Sequence, residues 1–449
     1  MRPQGSSAEG LLALRGRPPS ADAATAEVVA YDLYGLTTRA TALDGERDRN
    51  FRLDTSDGRR LVLKFIDHEV DDVVVDGQSA ALTHIAEQNA LLPVPRVVRT
   101  LGGELIGVVQ MAGGGGDDTA VSCRARLVTY LPGRLLQDVP PVGDSGTSAR
   151  GPGAAAIAGG VAGMRPGLLR SVGNHIAQLD RALVGFFHPA LAQPIAWDVR
   201  NAPALLPVLA QVQPPDLRRA LNTALDPIQQ LLQKMRGLRS QAIHGDCHGR
   251  NLLVNDSGDA CVGIIDLGDM IHAPLVLEIA VTMAELLTDG VASSDELPEL
   301  LAGYTAVQPL ERADVEVLYD LMAARIAVGV LIQTWRDQNA SRAEARTEPA
   351  TGDGPHTAAG LTSRAPGAWP GAGGVPHSST PARGAARLTD TSAAAIDAGA
   401  LANASTAALD ALASRGKGPL TQQWLEAAGI ASVSASRGHA VSADLVRRR

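Results

Sequence analysis

The chain has few aromatic residues, few cysteines and no long apolar run. Phenylalanine, tryptophan and tyrosine together make up 3% of its 449 residues. The three cysteines are an odd number without paired spacing, which argues against a disulfide framework and favours a reducing compartment. No stretch approaches the ~20 apolar residues of a membrane span, and the first residues do not form a secretory signal. These absences predict a cytoplasmic protein that contacts no membrane.

The chain also lacks the positive charge of a general nucleic-acid binder. Its net charge is −8 at pH 7, which argues against nucleic acid as a partner but allows a nucleotide ligand, because phosphate sites are local. With 47 glycines and 27 prolines, parts of the chain are not expected to pack. These parts are a disordered terminus over 1–25, the loop AGGGGDD, a low-complexity insertion over 142–167, and a tail or linker over 341–449 whose Ala-rich stretches could be helical.

The remaining sequence, which is globular with 45% apolar residues overall, divides into two parts. Residues 26–131 begin with a helix that stops at Gly35, then show three strands, a helix and two more strands, with a hairpin turn at Asp57-Gly58. Residues 132–340 are mainly helical and include one long helix over 220–238. The predicted fold class is therefore α+β, a small antiparallel β lobe followed by a helical lobe.

One segment, QAIHGDCHGRNLLVNDSGDACVGIIDLGD, carries a chemical pattern. Asn251 follows Asp246 after four intervening residues, and a predicted hairpin folds Asp266 back toward Asn251. Phosphoryl transfer needs a carboxylate beside the acceptor hydroxyl, and oxygen ligands that converge on a Mg²⁺ ion bridging the nucleotide phosphates. The spacing therefore predicts phosphoryl transfer from ATP with the help of Mg²⁺.

The His-Gly-Asp-Cys-His-Gly-Arg-Asn and Ile-Asp-Leu-Gly-Asp motifs of this segment resemble those of the aminoglycoside phosphotransferase and choline kinase superfamily. The resemblance implies a bilobal protein-kinase-like fold. It also implies that Asp246 is the catalytic base, that His244 braces the loop, and that Asn251 and Asp266 bind Mg²⁺. Asp269 would support the metal loop or face the substrate.

The first lobe offers a cation for the nucleotide phosphates. Lys64 lies in the strand LVLKF, where alternation places it on the face opposite the apolar residues. In kinases of this type a glutamate on the following helix is usually expected to pair with the lysine. Asp76, Gln78 and Glu87 are the candidates there, and none is an obvious match. The partner of Lys64 therefore stays open.

Two further segments are expected to contact the nucleotide. The loop LDGERDRN would cover the phosphates, although it has a single glycine; its residues Gly45, Arg47 and Asn50 are the candidate contacts. The strand end LVTYL would form the hinge between the lobes, where backbone groups of Thr129 and Leu131 would meet the adenine.

Other residues resemble the hydroxylysine kinase-like branch of the superfamily. They are GERDRNF, the LPVPRVV run, FFHPA, Trp197-Asp198 and Trp335-Arg336. The resemblance covers about 27–338 and implies ATP or GTP as donor and the hydroxyl of 5-hydroxylysine as acceptor. Asp198 would then line the pocket of an amine-bearing acceptor. Relatives also occur fused to a class-III aminotransferase-like domain, and the closing ADLVRRR resembles the start of that junction.

Two other functions remain open. His244, Asp246 and His248, at i, i+2 and i+4, could be ligands of a metal-dependent hydrolase, although Asn251 and Asp266 would then go unexplained and His248 is more simply a packing residue. A pseudokinase that binds nucleotide without turnover would fit the missing glutamate, but the base and metal residues are intact.

Overall fold

The computed structural model describes residues 19–45, 48–66, 69–112, 120–139, 167–347 and 398–430. The following predicted features lie outside the described residues: the terminus up to residue 18, Arg47, most of the glycine-rich loop, nearly all of the insertion, the linker over 348–397, and the end of the chain after 430. The described part has a β-rich first lobe and a helical second lobe, which confirms the predicted fold class.

The first lobe contains an antiparallel sheet. Its strands are β1 (Thr38–Leu43), β2 (Arg49–Thr55), β3 (Arg60–Ile66), β4 (Val97–Val98), β5 (Gly107–Ala112) and β6 (Ala120–Thr129). The order across the sheet is β1-β2-β3-β6-β4, and β5 pairs with the first part of β6. The predicted turn at Asp57-Gly58 joins β2 to β3, with Gly58 at φ 84°. The two-residue strand β4 was not predicted.

The two faces of this sheet have different partners. Helix α1 (Ala23–Tyr34) covers one face and encloses a small core. It ends at Gly35, as predicted, and Gly35 has φ 66°. In that core the rings of Phe51 and Phe65 meet edge to face, with centroids 5.9 Å apart. Burying each ring stabilises the lobe by roughly 1.5–3 kcal/mol. The opposite face carries Lys64 and turns toward the second lobe.

Helix α2 (Asp72–Gln88) joins the two lobes. It begins after Asp71, whose carboxylate accepts a hydrogen bond from the Val73 amide at 2.9 Å and so caps the helix. Three of its buried apolar residues, Ala81, Leu82 and Ile85, belong to the large core of the second lobe. The helix therefore fixes the first lobe against the second.

The second lobe contains most of the helices. They are α3 (Leu168–Ala182), α4 (Ala202–Leu205), α5 (Pro215–Leu225), α6 (Ile228–Met235), α7 (Val276–Thr288), α8 (Leu297–Thr305) and α9 (Arg312–Thr347). Its strands are β7 (Arg134–Leu135), β8 (Ser240–Ile243), β9 (Leu252–Val254), β10 (Cys261–Ile264) and β11 (Ile271–Pro274). β9 pairs with β10 in the predicted hairpin, and β8 pairs with β11. Because one motif lies between β8 and β9 and the other between β10 and β11, the two motif loops lie side by side.

The prediction of a single long helix over 220–238 is wrong. Helix α5 ends at Leu225 and helix α6 begins at Ile228. Pro227 lies between them, and a proline inside a helix removes a backbone donor and clashes with the preceding turn. The chain therefore forms two shorter helices.

Two helices that follow the linker are part of the second lobe. They are α10 (Ala398–Arg415) and α11 (Lys417–Ala427), and both pack on α9. Leu412, Leu420 and Trp424 are at most 1% exposed, and Lys417 forms an ion pair with Asp320 of α9. The sequence did not predict this burial. No helix in the described part of the chain is long and apolar enough to cross a bilayer.

Candidate active site

The loop between β8 and β9 is held in place by buried side chains. His244 is fully buried. Its Nε2 donates to the Ile265 carbonyl at 3.0 Å, and its Nδ1 accepts from the Asp246 amide at 3.3 Å. Gly245 has φ 75°, and its amide donates to the buried carboxylate of Glu278 at 3.1 Å. Both ring nitrogens of His244 are hydrogen-bonded within the protein, so the geometry suits the predicted brace.

Asp246 lies in this loop with its carboxylate between two basic side chains. Oδ2 is 3.3 Å from Nε2 of His248, and Oδ1 is 3.5 Å from the guanidinium of Arg325, which extends from α9. Burial raises the pKa of this carboxyl, but His248, Arg325 and His244 outweigh that effect and hold the pKa of Asp246 below its ordinary value. Asp246 is therefore ionised at neutral pH and can accept a proton or a hydrogen bond from a hydroxyl group.

The two predicted metal ligands lie next to this loop. The amide nitrogen of Asn251 donates to the Asp246 carbonyl at 2.9 Å, so the amide oxygen is the atom that Asn251 can offer to a cation. The Ile265 amide donates to the Asn251 carbonyl at 2.9 Å, which places Asp266, the next residue, beside Asn251. Carboxylate and amide oxygens are the hard ligands that Mg²⁺ prefers, so these residues fit the predicted ion.

Asp266 combines a strained backbone with an accessible carboxylate. Its φ of 62° makes it the one non-glycine residue with positive φ in the described ranges. The Asp266 side chain is 54% exposed; its Oδ1 accepts from the Gly268 amide at 3.2 Å and lies 3.9 Å from Nζ of Lys64. Such strain costs on the order of 1–3 kcal/mol and is concentrated at functional sites. The carboxylate of Asp266 thus faces the cation of the other lobe.

Lys64 has carboxylate partners other than those that the sequence suggested. Its Nζ lies 3.8 Å from Oδ2 of Asp48, in the loop after β1, and 3.9 Å from Oδ1 of Asp266. Gln78, one of the three candidates on α2, instead accepts a hydrogen bond from Arg126. The open question of the lysine's partner is therefore answered by Asp48 and Asp266.

The loop after β1 places two of the predicted phosphate contacts near Lys64. A Cβ on Gly45 would lie 2.4 Å from Nδ2 of Asn50 and 2.4 Å from the Asp48 carbonyl oxygen, so this turn requires glycine. Asn50 is the direct cross-strand neighbour of Lys64. Contact between these residues and a phosphate stays a prediction.

The segment after β6 connects the lobes where the hinge was predicted. The Thr129 amide donates to the Arg96 carbonyl, and the Thr129 hydroxyl accepts from the Arg96 amide, both at 2.9 Å. A Cβ on Gly263 of β10 would lie 3.1 Å from a methyl group of Leu131, so Leu131 already touches the second lobe. Adenine binding by Thr129 and Leu131 stays a prediction.

The two predicted acceptor carboxylates have different surroundings. Asp198 is 6% exposed, and both of its oxygens accept hydrogen bonds from Arg200, which also donates to the His272 carbonyl at 2.8 Å. This pairing occupies the carboxylate, and its contact with an acceptor stays a prediction. Asp269 ends the short 3-10 turn Leu267–Asp269 and is partly exposed beside Asp266.

Three basic side chains at the site were missed or given another role by the sequence analysis. Arg325 interrupts an apolar run in α9, and its guanidinium lies 3.0 Å from Glu285 as well as near Asp246. Arg126 alternates with apolar residues in CRARLV, as Lys64 does in LVLKF. The same alternation that predicted the orientation of Lys64 could therefore have identified Arg126. His248, interpreted as a packing residue, contacts the carboxylate of Asp246.

A β-rich lobe and a helical lobe meet where the residues predicted to be the base and the metal ligands lie near a lysine of the first lobe. This is the architecture of a two-lobed, kinase-like phosphotransferase. The model of the phosphotransferase enzyme family matches residues 39–315, more than half of the chain, and the chain belongs to that family. It is a small-molecule phosphotransferase with an alcohol group as acceptor.

Named relatives point to one branch of the family. The chain is 24% identical to the hydroxylysine kinase of Danio rerio over 311 residues, which are 67% of this chain and 80% of that protein. It is 23% identical to the hydroxylysine kinase of Mus musculus over 337 residues, 70% of this chain and 82% of that protein. A solved microcompartment-associated aminopropanol kinase has the same fold, with a TM-score of 0.50 and 16% identity over 72% of this chain and 94% of that one. The predicted resemblance to the hydroxylysine kinase-like branch is confirmed.

Proposed function

We propose that this protein transfers the γ-phosphoryl group of ATP or GTP to the hydroxyl of an amine-bearing acceptor, with 5-hydroxylysine as the first candidate. The observation that carries the proposal is the meeting of the lobes at Asp266. Its carboxylate lies 3.9 Å from Nζ of Lys64, and the side-chain amide of the neighbouring Asn251 donates a hydrogen bond to the Asp246 carbonyl. Phosphoryl transfer needs a base, metal ligands and a phosphate-binding cation in one cleft.

In this proposal Asp246 orients the acceptor hydroxyl and takes its proton as the new bond to phosphorus forms. His248 and Arg325 hold the carboxylate in place and keep it ionised. Lys64 binds the nucleotide phosphates from the opposite lobe. Mg²⁺, when bound by the two oxygen ligands of the second lobe, supplies positive charge that neutralises the phosphates.

The charges around the base support an amino acid as the acceptor. Glu285 and Arg325 form an ion pair at 3.0 Å next to Asp246, so an acidic and a basic side chain lie beside the proposed base, and the charges of an acceptor would exchange with this pair. An amino acid carries both an ammonium and a carboxylate group, and each can form a charge-assisted hydrogen bond with one of these side chains. 5-Hydroxylysine also carries the hydroxyl, and the named relatives are hydroxylysine kinases.

The proposal is tested by nucleotide consumption with hydroxylysine and, as the matched control, lysine, which lacks only the hydroxyl group. ATP and GTP are supplied separately, and homoserine, ethanolamine, choline and aminoglycosides complete the panel. We expect release of ADP or GDP with hydroxylysine and none above background with lysine. Phosphorus NMR should then show a phosphomonoester on the hydroxyl.

Two results would contradict the proposal. Equal nucleotide consumption with lysine and hydroxylysine would indicate hydrolysis instead of transfer. Binding of Mg²⁺-nucleotide without turnover of any acceptor would favour the pseudokinase that the sequence left open. If only another amine-bearing alcohol is phosphorylated, the proposed reaction stands and that alcohol replaces 5-hydroxylysine as the proposed acceptor.

A further inference from the structure

Three polar side chains form a row across the sheet on the face that looks into the cleft. The register pairs Asn50 of β2 with Lys64 of β3, and Lys64 with Arg126 of β6. Because neighbours in an antiparallel register point to the same face, all three lie on the side opposite the Phe51 and Phe65 core. Two of them, Lys64 and Arg126, are cations.

This row places two like charges directly opposite each other in a protected position. Arg126 is 4% exposed, and the Lys64 side chain is 18% exposed. Like charges opposite each other in a sheet destabilise it, and buried charge is tolerated only with compensating groups. Burial lowers the pKa of Arg126, and the nearby carboxylates of Asp48 and Asp266 oppose that shift. A concentration of positive charge at this point is unfavourable for folding alone but suits a polyanionic ligand.

The donors of Arg126 are only partly used. One terminal nitrogen donates to Oε1 of Gln78 at 2.5 Å, and the other donates to the Ser79 hydroxyl at 3.3 Å. Nε is buried and has no hydrogen-bond partner within the described ranges. A guanidinium has five N–H donors in a fixed fork, so two contacts to α2 set its plane and leave donors for a ligand.

Gln78 links this guanidinium to the metal loop. While Oε1 accepts from Arg126, Nε2 makes a long contact of 3.5 Å with the Gly268 carbonyl, two residues after Asp266. A neutral amide in this place holds the guanidinium without cancelling its charge. A glutamate would form a tighter ion pair and would reduce the attraction of Arg126 for phosphate.

We infer that Arg126 is a second phosphate-binding cation of the nucleotide site, next to Lys64, and that Gln78 positions it. The inference rests on the proposed function, because it requires a nucleotide in the cleft. A lysine on β3 and a glutamate on the following helix were expected to make the contact between the sheet and α2. In the structure, Arg126 of β6 and Gln78 of α2 make this contact.

The test is calorimetric binding of ligands that differ only in phosphate number. The series is the nucleoside, its monophosphate, its diphosphate and the non-hydrolysable triphosphate analogue, with Mg²⁺, in the adenine and guanine series. Arg126→Met should raise Kd for the diphosphate and triphosphate by about 10- to 100-fold, as loss of a charge-assisted bond implies. Binding of the nucleoside should change by less than about 3-fold, because it has no phosphate to lose.

Three further variants separate phosphate binding from support of helix α2. Arg124→Met removes the same charge from the same face of β6, but Arg124 pairs with Asp72 at the start of α2, so the affinities should change little. Arg126→Lys keeps the charge without the fork and should lose less affinity than Arg126→Met. Gln78→Glu should weaken diphosphate and triphosphate binding by roughly 3- to 10-fold, since its charge competes with phosphate. Circular dichroism checks that each variant is folded.

Different failures have different meanings. If the wild-type protein binds no nucleotide, the proposed function and the inference both fail. The second case is that the wild type binds nucleotides but Arg126→Met binds the whole series with unchanged affinity, or loses as much affinity for the nucleoside as for the phosphates. Arg126 is then a structural residue, and the inference alone is wrong. Tighter nucleotide binding by Gln78→Glu would also overturn it, because the site would then need a carboxylate from α2.

Discussion

The two sides of the cleft are built in different ways. On the second-lobe side, residues 244–251 form one continuous loop, whose backbone around Asp246 is hydrogen-bonded by His244, by Asn251 and by Glu278 of α7. On the first-lobe side, Asn50, Lys64 and Arg126 come from three strands, and Nε of Arg126 has no hydrogen-bond partner within the described ranges. The acidic side is braced by hydrogen bonds within the protein. The basic side is left incomplete, as expected of a surface whose missing partner is an anion.

The largest effect should come from the acidic side. Asp246→Asn removes the proton acceptor and keeps the shape of the side chain, so we expect kcat to fall by about 10²- to 10⁴-fold. The nucleotide Kd should stay within about 3-fold of wild type, because we propose that the phosphates bind on the other side. Steady-state kinetics and calorimetry on the same preparation measure both quantities. A variant that retains near-normal turnover would remove Asp246 from its proposed role.

A smaller effect is expected where the two sides meet. Asp266→Asn keeps a residue that tolerates positive φ but removes the charge, so nucleotide binding in Mg²⁺ should weaken by roughly 10- to 100-fold. With EDTA present, the variant and the wild type should bind nucleotide alike. Asp256→Asn, at the exposed turn of the same hairpin, is the matched control and should behave as wild type. Equal Mg²⁺ dependence in the two variants would place the ion elsewhere.

The smallest effect concerns a buried carboxyl beneath the acidic side. Asp180 is fully buried and accepts a hydrogen bond from the Tyr304 hydroxyl at 2.5 Å. Burial, and then the neighbouring Glu278, raise the pKa of Asp180 well above its ordinary value of 3.8. The folded protein therefore holds this proton at pH values where the unfolded chain has released it. The resulting stabilisation is complete below about pH 3.8 and is lost as pH rises through the higher folded-state pKa.

Asp180→Asn cannot titrate and should flatten this pH dependence. Between pH 5 and 9 we expect the Tm of the wild type to fall more steeply than that of the variant, by a few degrees. Thermal unfolding followed by circular dichroism in matched buffers measures the difference. Parallel curves for the two proteins would mean that Asp180 is ionised in the folded state throughout this range.

The acidic side was more predictable from the sequence than the basic side. Asp246, Asn251 and Asp266 lie within 21 residues of one another, and a single hairpin brings them together, so spacing alone predicted their proximity. Lys64 was predicted from strand alternation. Arg126 has the same alternation, but its importance depends on the pairing of β3 with β6, and the sequence does not state which strands pair.

Other errors also arose from contacts between distant segments. Arg325 lies 79 residues after Asp246 and reaches it only because α9 packs against α7. The Ala-rich stretches after residue 398 looked like a tail, yet α9 buries Trp424 and Leu412. The break at Pro227 is different: its signal is local, and the amphipathic pattern on both sides obscured it.

The sequence by itself determined the α+β fold class, the main strands of the first lobe and the hairpin that joins the two motif loops, because these depend on periodicity and short spacing. The tertiary structure decided the partners of Lys64, the placement of Arg126 on Gln78 and the approach of Arg325 to Asp246. The physical reason is that electrostatic and hydrogen-bonding partners are set by distance in space. Only packing brings side chains from separate strands and helices within a few ångströms of each other.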